Sequence, residues 1–81
     1  MKVTVKAFAS LKQLLPDGGK KTLDVPAGTT VGEMIAILGL PAGRVHLMIR
    51  NNRQAGADER LQPGDTVAFF PPIAGGAGVD G

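Results

Sequence analysis

Apolar and polar residues alternate from Met1 to Ala9, with Met1, Val3, Val5 and Ala7 on one side and Lys2, Thr4 and Lys6 on the other. A two-residue period predicts a strand with one buried face. Phe8 falls on the polar side of that count and marks where the strand twists or ends. Ser10 is placed to cap a short helical turn carrying Leu11, Leu14 and Leu15, which Pro16 and Asp17-Gly18-Gly19 terminate. Alternation resumes from Lys21 to Val25 with Leu23 and Val25 inward, so the first two strands form a hairpin with a wide connection.

The period changes at Thr30-Val31-Gly32-Glu33. A threonine and a glutamate three residues on satisfy each other's backbone amides as a capping box, which starts a helix. Val31, Met34, Ile35 and Leu38 share one face of it, and Gly39 followed by Pro41 stops it. Val45 to Arg50 predicts a third strand, with Val45, Leu47 and Ile49 opposite His46, Met48 and Arg50. Asn51-Asn52 tolerates the positive φ of a tight reversal. Arg53 to Ala55 then pairs back as a short fourth strand, Leu61 plugs the core from a loop, and Pro63-Gly64-Asp65 turns the chain into a last strand, Thr66 to Phe70.

These elements predict an α+β fold with a mixed, four- to five-stranded sheet covered on one face by one main helix, the first and last strands forming the central parallel pair. The folded domain is expected over residues 1–72, and residues 73–81 read as a flexible tail. With 81 residues the chain has material for one core only. One helix covers one sheet face, so apolar side chains stay accessible on the other. Met48 with Phe69 or Phe70 is the expected partner-binding patch there, and Arg44, Arg50, Arg53 and Arg60 are available as a polar rim for an acidic surface.

Composition removes several function classes. The chain has no cysteine, which excludes disulfides, thiolate metal sites and thiol nucleophiles. Its net charge of +2 comes from bases spread from Lys2 to Arg60, a poor footprint for nucleic acid. No run approaches the roughly 18 apolar residues of a membrane span, and the N-terminus alternates instead of building a signal-peptide core, so a cytoplasmic protein is expected. His46 is the single histidine and reads as an ordinary strand residue, not a metal ligand. Asp58-Glu59, flanked by Arg60, reads as a solvated loop and not as an acid-base pair. No catalytic set and no site for a bound cofactor emerge, so the chain is not expected to be an enzyme.

The distinctive stretch is Phe69-Phe70-Pro71-Pro72-Ile73-Ala74-Gly75-Gly76. Pro71 and Pro72 cannot donate ladder hydrogen bonds, so pairing stops there and an extended course carries the chain away from the body. Gly75 and Gly76 have no side chains and can thread a narrow channel toward a reactive centre. A carboxylate at the end of such an arm is inert until activated, for example as an acyl-adenylate.

Taken with Thr-Val-Gly-Glu opening a helix, Leu-Gly-Leu-Pro closing it and Pro-Gly-Asp-x-Val-Ala-Phe-Phe-Pro-Pro leading to Ala-Gly-Gly, the chain over residues 1–76 resembles the ubiquitin-like sulfur carriers. It is more similar to the molybdopterin synthase small subunit (MoaD-like) than to the thiamine sulfur carrier (ThiS-like). The resemblance implies a β-grasp (ubiquitin-like) fold and a terminal glycine that a ubiquitin-activating-type adenylyltransferase adenylates with ATP. A sulfur donor then converts it to a thiocarboxylate, and a larger synthase subunit takes the tail and delivers sulfur to a pterin precursor. It implies Gly76 as the thiocarboxylated position, Gly75 and Ala74 as its spacer, and Phe69, Phe70, Pro71, Pro72 and Ile73 as guides into partners.

The sequence departs from that pattern after Gly76, whose carbonyl is bonded to Ala77. Three readings follow: a processing peptidase trims the chain behind Gly76, Gly81 is the working terminus, or the protein has left the carrier role. Trimming is preferred, because Asp80 would put a charge where a narrow channel wants none. A carrier for thiamine or another thiolated metabolite, and a β-grasp interaction module that is never activated, remain as alternatives.

Overall fold

In the computed structural model, which describes residues 1–72, the alternating N-terminus forms β1 (Lys2–Ala7), burying Val3, Val5 and Ala7. Beyond Phe8 the chain makes a 3-10 turn over Ala9–Leu14 and a tight turn over Pro16–Gly19, with Asp17 and Gly18 left-handed, before entering β2 (Lys20–Asp24). Ser10 does not cap the first turn: Phe8 holds that position with no side-chain hydrogen bond, and Ala9 enters the turn at φ 53°. Leu11 and Leu15 reach the core while Leu14 is exposed.

The main helix, Val31–Leu38, starts as its sequence demands. The Glu33 amide donates to Thr30 Oγ1 at 3.1 Å and the Thr30 amide donates to Glu33 Oε1 at 2.8 Å. Val31 and Met34 are fully buried, and Gly39 ends the helix in the left-handed conformation at φ 72°. β3 (Leu47–Arg50) then turns through Asn51 and Asn52, both at positive φ, into the short β4 (Arg53–Gln54). Leu61 plugs the core from the loop before β5 (Thr66–Phe70).

The five strands lie in the order β2-β1-β5-β3-β4, with β1 and β5 parallel at the centre and the other pairs antiparallel. Register fixes which side chains face the core. Met48 lies opposite Phe69 and Leu47 opposite Phe70, so the first pair faces the helix and the second faces away. This corrects the expected patch. Phe69 is completely buried and Met48 packs half-buried against the core, so neither belongs to the open face.

A buried carboxylate fastens the turn before β5. Asp65 Oδ2 accepts from Arg50 Nε and from the Gln62 amide, each at 2.7 Å, while Oδ1 accepts from Asn51 Nδ2 at 2.8 Å. Asn51 Oδ1 in turn accepts from the Thr66 amide at 2.9 Å. Burial alone would push the Asp65 carboxyl up, but these donors outweigh it and hold its pKa below the ordinary carboxylate value. Arg50, expected on a polar rim, is instead committed to this joint and to Glu59, 3.5 Å away.

Candidate functional site

The chain leaves the sheet from its central strand. Phe70 makes the last pairing, its carbonyl accepting from the His46 amide at 2.8 Å, and Pro71 and Pro72 follow without an N–H to continue it. Because β1 runs parallel to β5, the C-terminal end of β1 arrives at the same corner, with Ala7 in register with Phe69. Phe8 therefore meets Phe70 on the open face, and the rings stack with centroids 4.5 Å apart and planes 4° from parallel.

Phe8, read from the sequence only as a break in the alternation, is thus part of the base from which the tail departs. With Phe70, Ile49 and Ala68 it lines a groove of about 450 Å³ on the face away from the helix, closed at its edges by Lys6 and Asn51. The open apolar face foreseen from the one-helix arrangement exists, built from Phe8, Phe70, Ile49 and Ala68 in place of Met48 and Phe69. Of the predicted guide residues, Phe70 and Pro71 are half-buried and Pro72 is exposed. Ile73, Ala74, Gly75 and Gly76 lie outside the described residues.

Among the described residues, the titratable groups singled out from the sequence do not converge on one site. His46 is exposed and contributes its backbone amide. Asp58 is exposed, whereas Glu59 accepts from the Gly56 amide at 3.0 Å and sits beside Arg50. Asp65, with both oxygens engaged and a lowered pKa, serves as a joint and not as a base. Among the described residues no three or more His, Asp or Glu side chains gather as a metal-binding set. No helix among them is long and apolar enough to cross a membrane.

Sheet order and helix placement define a ubiquitin-like β-grasp domain, and solved structures agree. SAMP1 from Haloferax volcanii matches with a TM-score of 0.73 at 29% identity, covering 94% of this chain and 100% of that one. A small archaeal modifier protein 1 structure from the same organism gives 0.72 at 28%, covering 89% and 98%. A protein assigned as molybdopterin converting factor subunit 1 from Pyrococcus furiosus gives 0.71 at 26%, covering 90% and 99%. The chain belongs to the ThiS family, whose model matches residues 5–76, and is a MoaD/ThiS-like, ubiquitin-like sulfur carrier or small modifier. No curated protein sequence matches it.

Proposed function

We propose that this chain is a sulfur carrier for molybdopterin, the molybdenum or tungsten cofactor precursor, and acts as a co-substrate without catalysing a step itself. The observation that carries the reading is the family match, which begins within β1 at Val5 and has Gly76 as its last residue. The groove beside the point where the tail departs supports it, since an enzyme acting on the tail must sit over that corner. The likeness to the Pyrococcus protein favours the pterin branch over thiamine.

Gly76 is bonded to Ala77, so the first step is hydrolysis of that peptide bond by a peptidase, which frees the Gly76 carboxylate. An adenylyltransferase of the ubiquitin-activating type joins the carboxylate to the α-phosphate of ATP and releases pyrophosphate. Sulfide-level sulfur (HS⁻) from a donor then attacks the acyl-adenylate carbonyl, forming the C–S bond and expelling AMP, to give the thiocarboxylate with no change of oxidation state. Ala74 and Gly75 space the reactive end from the body, and Phe70, Pro71, Pro72 and Ile73 guide it into the activating enzyme and into a larger synthase subunit. ATP is bound by the activating partner and not by this chain.

The test uses chain ending at Gly76, incubated with ATP, the adenylating enzyme of its own cell and a sulfur donor. Intact mass should show exchange of one oxygen for sulfur at the C-terminal peptide. No exchange with any cognate adenylating enzyme overturns the proposal. The likeness to small archaeal modifier protein 1 favours a second reading, in which the same activated glycine is transferred to an amine of a target protein. Conjugates joined through Gly76, in place of a free thiocarboxylate, would select it.

A further inference from the structure

Beside the apolar groove, on the β1–β2 side of the same corner, lies a hollow of about 150 Å³ lined by Lys6, Lys12 and Lys20 with Phe8, Gly18 and Gly19. Lys6 and Lys20 are directly opposite each other on neighbouring strands. Like charges in that register destabilise a sheet, so the arrangement does not serve stability. Among the described residues neither lysine, nor Lys12, lies within ion-pair distance of a carboxylate, although Asp17 is in the same loop.

The loop is shaped around this cluster. Asp17, Gly18 and Gly19 all take positive φ. A Cβ at Gly19 would come within 2.7 Å of both the Ala7 carbonyl oxygen and Lys12 Cγ. Glycine there lets the Lys12 stem lie against the backbone. Three cations are thus kept together at the same end of the sheet from which the tail departs.

We propose that the Lys6, Lys12 and Lys20 hollow is the anchor for carboxylate side chains of the adenylating enzyme that activates the C-terminal arm, an acidic patch adjoining an apolar one that fills the Phe8–Phe70 groove. Charge complementarity identifies the occupant: three cations with no carboxylate partner among the described residues, beside an apolar strip, fit Asp or Glu residues at the rim of an apolar interface. Single-stranded nucleic acid fits poorly. Its bases stack on aromatic side chains, and the Phe8 and Phe70 rings already engage one face each with one another. This inference rests on the carrier reading for the identity of the partner.

The experiment measures binding of the full chain, and of the chain ending at Gly76, to the adenylating enzyme of its own cell across a salt series. Thiocarboxylation at saturating enzyme is measured in parallel. Lys6→Gln/Lys20→Gln is compared with Lys2→Gln/Lys21→Gln, which removes the same charge elsewhere on the sheet, and circular dichroism checks that both fold. Lys12→Gln alone serves if the first pair does not. The expected result is affinity weakened about tenfold by Lys6→Gln/Lys20→Gln, a shallower salt dependence, and no comparable change for Lys2→Gln/Lys21→Gln.

Equal affinities for the two double variants, or no binding by the unaltered chain, overturn the inference. Salt-sensitive binding to single-stranded RNA that is lost with the same lysines, and exceeds that to the enzyme, also overturns it. Salt-sensitive enzyme binding through these lysines without any thiocarboxylation would leave the anchor standing and remove the carrier reading.

Discussion

Replacing Asp65 by asparagine isolates the joint that holds the turn before the tail-bearing strand. The carboxylate accepts three hydrogen bonds, from Arg50 Nε and the Gln62 amide at 2.7 Å and from Asn51 Nδ2 at 2.8 Å. Asparagine retains one acceptor oxygen and presents an NH₂ to a donor, so at least one of these bonds is lost and Arg50 loses the closer of its two carboxylate partners. A hydrogen bond to a charged group contributes about 1.5–3 kcal/mol, which puts the loss at about 2–4 kcal/mol. Against a total stability of roughly 5–15 kcal/mol, this is a large fraction.

The effect depends on pH in a defined direction. The folded-state pKa of Asp65 is lowered, so its stabilisation is complete above the unfolded carboxylate pKa of about 3.9 and disappears as pH falls through the lower folded value. Urea unfolding of the full chain, with and without Asp65→Asn, should therefore show a gap that is widest near neutral pH. The gap should narrow from about pH 5 downward as protonation removes the carboxylate in the unaltered protein too. A variant within about 0.5 kcal/mol of the unaltered chain at neutral pH would refute the reasoning, because such a value is typical of surface substitutions. A gap that stays constant down the pH series would refute it as well.

Other changes test other parts of the account. Thr30→Ala removes one half of the capping box and should cost about 1 kcal/mol in urea unfolding. Gly19→Ala meets both a positive φ of 91° and a backbone oxygen 2.7 Å from the new Cβ, and should lower stability by about 2–3 kcal/mol. A double-mutant cycle with Phe8→Ala and Phe70→Ala should give a coupling of about 0.5–1.5 kcal/mol, against zero if the stack forms only incidentally.

Local signals carried most of the fold. The Thr30–Glu33 box, the alternation of β1 and the Asn51-Asn52 turn each depend on neighbours within a few residues, and all three are present. The face assignment at β3 and β5 was not legible, because Leu47, Met48 and Ile49, like Phe69 and Phe70, are apolar in succession and give no period. Only the pairing of Met48 with Phe69 decides it. Ser10 looked like a cap, but tertiary placement of Phe8 against Phe70 brings the chain in through Ala9 instead.

Of the candidate site, the glycine arm at residues 73–76 lies outside the described residues and stays a proposal, and the part in the body was obscure in the sequence. Gly75, Gly76 and the two prolines stand out by their chemistry, whereas the Lys6, Lys12 and Lys20 cluster joins residues from β1, the connection and β2. The Arg50–Asp65 joint likewise spans 15 positions, and Asp65 sits in what reads as an ordinary Pro-Gly-Asp turn. Neither grouping leaves a local pattern. Phe8 was the one accessible clue, since an aromatic residue out of phase on a polar strand face needs a partner.

The most direct measurement of the central claim is the mass of the C-terminal peptide of this protein isolated from the cell that makes it. The account predicts a population ending at Gly76 and carrying a thiocarboxylate. A chain that continues through Ala77 in every molecule, with no trimmed or sulfur-bearing form, would contradict it.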